Sequence, residues 1–342
     1  MQSGITAVGA IAIFAAAVLL CVLLIVVLRT FLARYALAQP NPRSSHKLPT
    51  PQGGGIAVLA ATISVCAVVS YFFPNSAAMT FQLWLVLGAA LLIAGVGVLA
   101  DIHPRNIGPR LLLQALAVSV VVLALPSDLR VIPFVPVAAD RFLLVIGGLW
   151  FVNLVNFMDG LDWMTVAEVV PITAATASIG FLGTLEWSQI LVSIALCGAM
   201  TGFALFNRPV AQLFLGDVGS LPIGLLLGWL LLMLAGSGGR AAAILLPLYY
   251  LADSTITLLR RAANGEPVWQ AHRSHYYQRA TERGFRVIDV VARVFAVNVV
   301  LATLALATIL LPSLLMDIAA FSVGAAIVFW LLITFARGRM PE

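Results

Sequence analysis

The stretch Asn153-Leu-Val-Asn156-Phe-Met-Asp159-Gly160-Leu-Asp162 sits between two long apolar runs, residues 142–155 and 169–183. Runs of that character read as membrane helices, so the polar residues mark chemistry at a membrane edge. If the first helix continues through Asp159, then Asn153, Asn156 and Asp159 recur every third residue. They would share an arc of roughly a third of the helix circumference. Amide and carboxylate oxygens on one arc are hard ligands, suited to Mg2+ or to hydrogen-bonding a polar substrate. Gly160 is placed to end that helix and to let the backbone approach a ligand.

The rest of the chain supports a membrane reading. It has 342 residues, of which 62% are hydrophobic and 10% charged, with a mean hydropathy of +1.06. Soluble domains do not have this composition. The expected fold is all-α, a polytopic membrane helix bundle of about 11 transmembrane helices. One integral-membrane domain is expected over residues 1–342. The spans fall near 4–28, 54–73, 82–100, 111–126, 142–155, 169–183, 189–206, 219–236, 241–259, 290–311 and 317–336. No Lys or Arg precedes Arg29, which predicts a retained first span, not a cleaved signal peptide. Cys21, Cys66 and Cys197 lie inside apolar runs without metal-ligand spacing and read as packing residues.

Basic residues orient the bundle. With the loop at about 29–53 in the cytoplasm, every one of the 19 lysines and arginines except Arg130, Arg141 and Arg240 falls on the inner side. That bias predicts a periplasmic N-terminus and a cytoplasmic C-terminus. The remaining inner loops are 101–110, 156–168, 207–218 and 260–289. The four histidines and Asp101, Asp159, Asp162 and Asp217 sort to the same face. A channel or transporter needs polar groups through the membrane depth, and no internal repeat is visible, so an enzyme at the inner surface is favoured.

Each inner loop carries candidates. Residues 40–55 read Pro-Asn-Pro-Arg-Ser-Ser-His-Lys-Leu-Pro-Thr-Pro-Gln-Gly-Gly-Gly. The N–H groups of Gly53, Gly54 and Gly55, with Arg43, His46 and Lys47, suit an anion; a basic loop touching anionic lipid is the competing reading. The second loop carries Asp101, His103, Arg105 and Arg110, and Gly95-Val-Gly97 before it reads as a small-residue helix contact. Glu168 has capping-box spacing from Thr165 and reads as structural. Gly216 and Gly219 bracket Asp217 beside a helix start, where it serves either as an N-terminal cap or as a ligand of a Mg2+–diphosphate. Residues 271–279 read Ala-His-Arg-Ser-His-Tyr-Tyr-Gln-Arg. His272, Arg273 and His275 suit a phosphate grip better than zinc, since no Cys or further His is near. Asp253, inside the preceding span, is a functional candidate or a partner for Arg260.

No Gly-Lys-Ser/Thr exists, because Lys47 is the sole lysine, and there is no Gly-x-Ser-x-Gly elbow. Hard oxygens, phosphate donors and a membrane face suit phosphoryl transfer to a lipid-borne acceptor. The motifs Asn-x-x-Asn-Phe-Met-Asp-Gly-x-Asp, Phe-Leu-Gly-Asp-x-Gly-Ser, Arg-Ser-Ser-His-x-x-Pro-Thr-Pro-x-Gly-Gly-Gly and Ala-His-Arg-Ser-His-x-Tyr-Gln span nearly the whole chain. Together they resemble the polyprenyl-phosphate N-acetylhexosamine-1-phosphate transferases, and most of all the O-antigen-initiating branch. The resemblance implies transfer of a sugar 1-phosphate from a UDP-sugar to undecaprenyl phosphate, releasing UMP, at the bacterial inner membrane. It implies Mg2+, with Mn2+ as an alternative, held by Asp217 and Asn156. Asp159 and Asp162 would contact the nucleotide-sugar, and His272, Arg273 and His275 the diphosphate or sugar. Asp101 is carried over as catalytic, and Arg43, His46, Lys47, Gly54, Arg110 and Asn153 as substrate-binding. The implied partners are the UDP-sugar, undecaprenyl phosphate and membrane lipid, with a homodimer allowed and no nucleic acid.

The chain departs from the family pattern where two adjacent aspartates are usual, since it reads Ala100-Asp101. The first carboxylate is often assigned as a base or a metal-site residue. A lipid phosphate with a second pKa near 6 is mostly dianionic at neutral pH, so a base is the lesser need. Lost electrostatic positioning would still matter by about 3–4 kcal/mol. A catalytically impaired relative, binding lipid-linked sugar or scaffolding a polysaccharide complex, is therefore the alternative. Gln52 is a milder departure, because arginine is common there.

Overall fold

The computed structural model describes residues 6–38, 49–73, 81–102, 107–267 and 272–338. Arg43, His46 and Lys47 lie outside the described residues, as do His103 and Arg105. The chain is an all-α polytopic membrane bundle, with helices α1 (Ala7–Tyr35), α2 (Gly54–Phe72), α3 (Phe81–Ile102), α4 (Ile107–Leu123), α5 (Val137–Met158), α6 (Met164–Phe181) and α7 (Trp187–Ala204). They are followed by α8 (Asp217–Gly236), α9 (Arg240–Leu245), α10 (Leu248–Ala263), α11 (Tyr276–Glu282), α12 (Val287–Leu310) and α13 (Leu314–Arg337). Among the described residues, nine helices are long and apolar enough to cross a membrane. Nine of the eleven expected spans are met by these helices and a tenth by the shorter apolar α4; the one expected at 241–259 is divided between α9 and α10, neither of them long and apolar enough to cross a membrane.

Local chemistry sets the breaks. Thr6 and Ser313 cap α1 and α13 through their side-chain oxygens, and Glu186 with Gln189 closes a capping box on α7. The single helix expected over 241–259 stops at Leu245 and restarts at Leu248, because Pro247 has no N–H to continue the ladder. The loop expected from residue 29 begins later, since α1 runs on to Tyr35. Beyond it, β1 (Leu37–Ala38) pairs antiparallel with β2 (Thr50–Pro51). Helix α5 ends at Met158, so Asp159 is the cap residue and not part of the helical arc. Helix α11 is an element that the sequence reading did not anticipate.

Helix α8 is the centre of the bundle. Nine-tenths of its apolar window is buried (89%), and it packs on α2, α3 and α5. A helix apolar on all sides has this environment. Two backbone crossings set its position. A Cβ added at Gly55 would lie 2.1 Å from Gly219 Cα, and one at Gly97 would lie 2.5 Å from the Asp217 carbonyl. The small-residue contact expected at Gly95-Val-Gly97 is made by Gly97, whereas Gly95 faces open space. Cys21, Cys66 and Cys197 are buried, as expected.

Buried polar side chains tie helices together in pairs. Asn153 Nδ2 donates to Gln114 Oε1 at 2.9 Å, linking α5 to α4. Asn298 Nδ2 donates to Glu168 Oε2 at 2.7 Å, linking α12 to α6. Glu168 is thus structural, as an interhelical acceptor and not as part of a capping box. Such bonds are worth about 0.6–2 kcal/mol each in a membrane. Two arginines that break the charge bias fasten the 124–136 connection to α5: Arg130 of the connection pairs with buried Asp140, and Arg141 of α5 donates to the Pro126 and Leu129 carbonyls.

Candidate active site

Helix α8 starts on Asp217 because Gly216, at φ 76°, turns the chain through a conformation that favours glycine. The first N–H groups of this helix point at Asp101, at the end of α3. Asp101 Oδ1 accepts from Asp217 N at 3.1 Å, and Oδ2 accepts from Val218 N at 3.2 Å. Asp101 Oδ1 also accepts from Gln52 Nε2 at 2.5 Å. One carboxylate therefore caps a helix from another part of the chain, which orphan N–H groups and the helix dipole both favour. Gln52 itself bridges to Phe214, so the start of α2, the end of α3 and the start of α8 form one unit.

Asp217 then meets the opening motif. Asn156 Nδ2 donates to Asp217 Oδ1 at 2.7 Å and to Ser220 Oγ at 2.8 Å. Arg110 Nη1 lies 2.9 Å from Asp217 Oδ2, with side-chain exposures of 28% and 25%, and Arg110 Nη2 donates to Asn156 Oδ1 at 3.1 Å. The pair is neither fully wet nor fully buried.

The turn between α5 and α6 carries Asp159 and Asp162. Thr165 Oγ1 donates to Asp159 Oδ1 in a short hydrogen bond. Burial, reinforced by the negative charges of Asp217, Asp101 and Asp162, pushes the Asp159 carboxyl up to about 7, against the pull of that bond. Asp162 is buried and accepts from Ala211 N at 3.0 Å. Trp163 N donates to Asn207 Oδ1 at 2.8 Å, so the turn is bonded to the 207–214 segment. Trp163 adopts φ 64°, an unfavourable conformation for a large side chain, and this clamp holds it there.

The His272–His275 stretch is carried to the same end by α11. Tyr277 Oη donates to Phe157 O at 3.0 Å, and a Cβ at Gly160 would lie 2.2 Å from that hydroxyl. Gly160 is needed for this close approach and not for an unusual backbone angle. The His272 and His275 rings stack with centroids 4.8 Å apart. His272 Nδ1 lies 2.8 Å from Ser274 Oγ. Burial, followed by the charges of His275, Arg261 and Arg260, holds the His272 imidazole down at about 4. Arg273 pairs with Glu282 at 3.3 Å. Arg260 donates to Ser274 O at 2.8 Å and lies over the Tyr276 ring, so the Asp253–Arg260 pairing considered from sequence is not the one formed.

Two substrate-contact expectations are revised by burial and bonding. The arc of Asn153, Asn156 and Asp159 divides: Asn153 turns into the bundle toward Gln114, while Asn156 meets Asp217. The anion nest at Gly53–Gly55 does not form. Gly53 N and Gly54 N donate to Phe214 O at 3.1 and 2.8 Å, and Gly55 N to Leu215 O at 2.9 Å. Gly54 is a packing residue against Phe203. Two residues of the quoted motifs to which the sequence reading gave no role are Ser220, which accepts from Asn156, and Tyr277.

Among the described residues, no three His, Cys, Asp or Glu side chains converge into a metal cage. Asp217 and Asn156 still fit Mg2+ chemistry, because that ion keeps several waters and binds through one or two carboxylates plus substrate phosphates.

The Glycosyl transferase family 4 profile matches residues 83–235. The phospho-N-acetylmuramoyl-pentapeptide-transferase of Bacillus subtilis is 32% identical over 239 residues, covering 62% of this chain and 69% of that protein. The chain belongs to glycosyl transferase family 4. Within this family it is also similar to a probable undecaprenyl-phosphate N-acetylglucosaminyl 1-phosphate transferase of Bacillus subtilis, at 26% identity over 321 residues, 90% of this chain and 86% of the relative. The decaprenyl-phosphate N-acetylglucosaminephosphotransferase of Mycobacterium tuberculosis is 26% identical over 281 residues, 73% and 70% of the two chains. The family match runs from α3 to the end of α8, and so takes in Asp101, Arg110, Asn156, Asp159, Asp162 and Asp217.

Proposed function

We propose that this family 4 chain transfers a sugar 1-phosphate, as an N-acetylhexosamine 1-phosphate, from a UDP-sugar to undecaprenyl phosphate at the bacterial inner membrane. UMP is released, and the product begins O-antigen or another envelope polysaccharide. A lipid phosphate oxygen attacks the sugar-bearing phosphorus of the UDP-sugar. The bond from that phosphorus to the bridging oxygen breaks, and its electron pair leaves on UMP. The observation that carries this reading is the 2.7 Å contact between Asn156 and Asp217, side chains from two separate motifs 61 residues apart.

In this reading Asp217 and Asn156 hold Mg2+, or Mn2+ in its place, which neutralises diphosphate charge when bound. Arg110 balances Asp217 before substrate arrives and turns to phosphate oxygens afterwards, a role suited to a guanidinium. His272 and Arg273 bind the diphosphate, and Asp159 meets the nucleotide-sugar. Asp162 acts at one remove, by tying the 207–214 segment to the site. Asp101 orients Asp217 through the first turn of α8. The site faces the cytoplasm in this reading, with the N-terminus periplasmic, supported by the bias of lysine and arginine toward the loops that carry it in the sequence.

The test is Mg2+-dependent UMP release from a panel of UDP-sugars with undecaprenyl phosphate present. Release from at least one sugar is expected; silence across the panel sinks the proposal. A second reading, an impaired relative, is favoured by one observation: both Asp101 oxygens are engaged by α8, and Ala100 supplies no second carboxylate. Ala100→Asp separates the two. A large rise in turnover marks a decayed site, and an unchanged rate marks a site that works without that group.

A further inference from the structure

Asp253 lies on α10 and is wholly enclosed, at 0% exposure. A carboxylate at that depth needs a full set of donors. It has them. Tyr249 Oη lies 3.1 Å away and Thr257 Oγ1 3.3 Å, both from its own helix. The other donors arrive from across the loop: His275 Nδ1 at 3.2 Å, Tyr276 N at 2.9 Å and Tyr277 N at 3.1 Å. These partners fill the acceptor capacity of a carboxylate.

Two of these bonds fasten the first turn of α11, a structural service. The third has a chemical consequence. An imidazole nitrogen that donates to a carboxylate must carry a proton, so Nδ1 of His275 is the protonated nitrogen and Nε2 is the one left for other partners. The ring has little freedom besides, since it is 2% exposed. It stacks between His272 and Tyr277, with centroids 4.8 and 5.7 Å away. Tyr277 in turn donates to Phe157 O, next to Asn156. Asp253 therefore connects α10 to the end of α5 through the 275–277 turn.

We propose that Asp253 is a positioning residue for the transfer reaction: it fixes His275 in the Nδ1-protonated form and holds the 272–277 segment against α5 for the sugar diphosphate. This rests on the transferase reading above. It adds a carboxylate that lies outside every loop motif and outside the family-matched residues 83–235.

Asp253→Asn tests it. The amide keeps the shape and one acceptor oxygen but loses the charge and the second acceptor, so five donors compete for one oxygen and the preference of His275 for a proton on Nδ1 weakens. With the full-length protein in detergent, kcat is expected to fall about 10–100-fold, the range for lost histidine orientation, with the KM for the UDP-sugar little changed. Nitrogen chemical shifts of labelled histidine should report His275 protonated at Nδ1 in the unsubstituted protein and a larger Nε2-protonated population in the variant. In a His275→Asn background, Asp253→Asn should add little further loss. A parallel fall in kcat, substrate affinity and melting temperature, with no change of tautomer, would reduce Asp253 to an anchor of α11 and overturn the proposal. If the variant does not fold, the unsubstituted protein still decides, because a neutral His275 protonated at Nε2 contradicts the assignment. If no UDP-sugar yields UMP, the transferase reading fails separately, while the shifts still report on the Asp253–His275 pair.

Discussion

Asp101 caps the helix that begins at Asp217, accepting from its N–H group at 3.1 Å across 116 residues of sequence. Neighbouring carboxylates repel, so this arrangement holds because the backbone amides of α8 stand between the two charges. Asp101→Ala is expected to lose the cap, about 0.5–2 kcal/mol, and with it most of the activity. Asp101→Asn retains an acceptor oxygen and should recover much of the melting temperature. If both variants melt like the parent protein, Asp101 does not support α8.

Asp217→Asn removes the anionic partner of Arg110 and the proposed charge at the metal position. The amide fits the same space between Asn156 and Arg110, so folding should survive. A fall of about 10²–10³ in kcat is expected, as for other groups that meet developing charge. Mg2+ titration of the UMP-release rate provides the check: a higher half-saturating Mg2+ concentration supports the assignment, and an unchanged one removes it.

Gly160→Ala places a methyl group 2.2 Å from Tyr277 Oη and 3.0 Å from Gln278 Nε2. Helix α11 must move away from α5, carrying His272 and His275 with it. Displacements near 1 Å in a positioned site cost about 100-fold in rate. Adding Tyr277→Phe deletes the nearest clashing atom and should return part of the activity. Assays of the single and double variants would show this recovery, and its failure would mean that the loss has another origin.

His272 is held at about 4, below the ordinary 6.5, by burial and by the charges of His275, Arg261 and Arg260. The unfolded chain thus binds a proton at this position in a range where the native chain does not. The contribution of His272 to stability is complete above pH 6.5 and declines as pH falls toward 4. His272→Asn should flatten that part of the stability profile. NMR titration should find the ring neutral at pH 6, with UDP or pyrophosphate raising its midpoint, since an added anion favours the charged form. A midpoint that stays fixed on adding either anion argues against diphosphate binding there.

Much of this architecture is legible in the sequence. Apolar run lengths mark the spans, and the meeting of Asn156 with Asp217 follows from reading their two loops as one site. Spacing shows which residues share a helix face but not which helix that face meets. Asn153 and Asn156 sit one turn apart, yet one meets Gln114 and the other Asp217. The glycines at 53–55 look like a nest until Phe214 and Leu215 take their N–H groups. Helix α11 leaves a local signal in the capping pair His275 and Gln278, although histidine is an uncommon cap. The break at Pro247 was visible as a proline within an apolar run. Asp253 stood out as a buried acid, and its partner could be found only from the folding back of the loop.

The crossing of Gly55 over Gly219 sets how this enzyme can adapt. Main chain rests on main chain there, with no side chain between to change rotamer or slide. Helices α2 and α8 must travel together, so the floor bearing Asp217 keeps its dimensions whatever sugar is offered. On the proposed reading, accommodation of the sugar falls to the arm around residues 272–286, which meets the end of α5 through Tyr277 and Phe157. Exchanging that arm between relatives should therefore transplant sugar preference while leaving the metal requirement where it was.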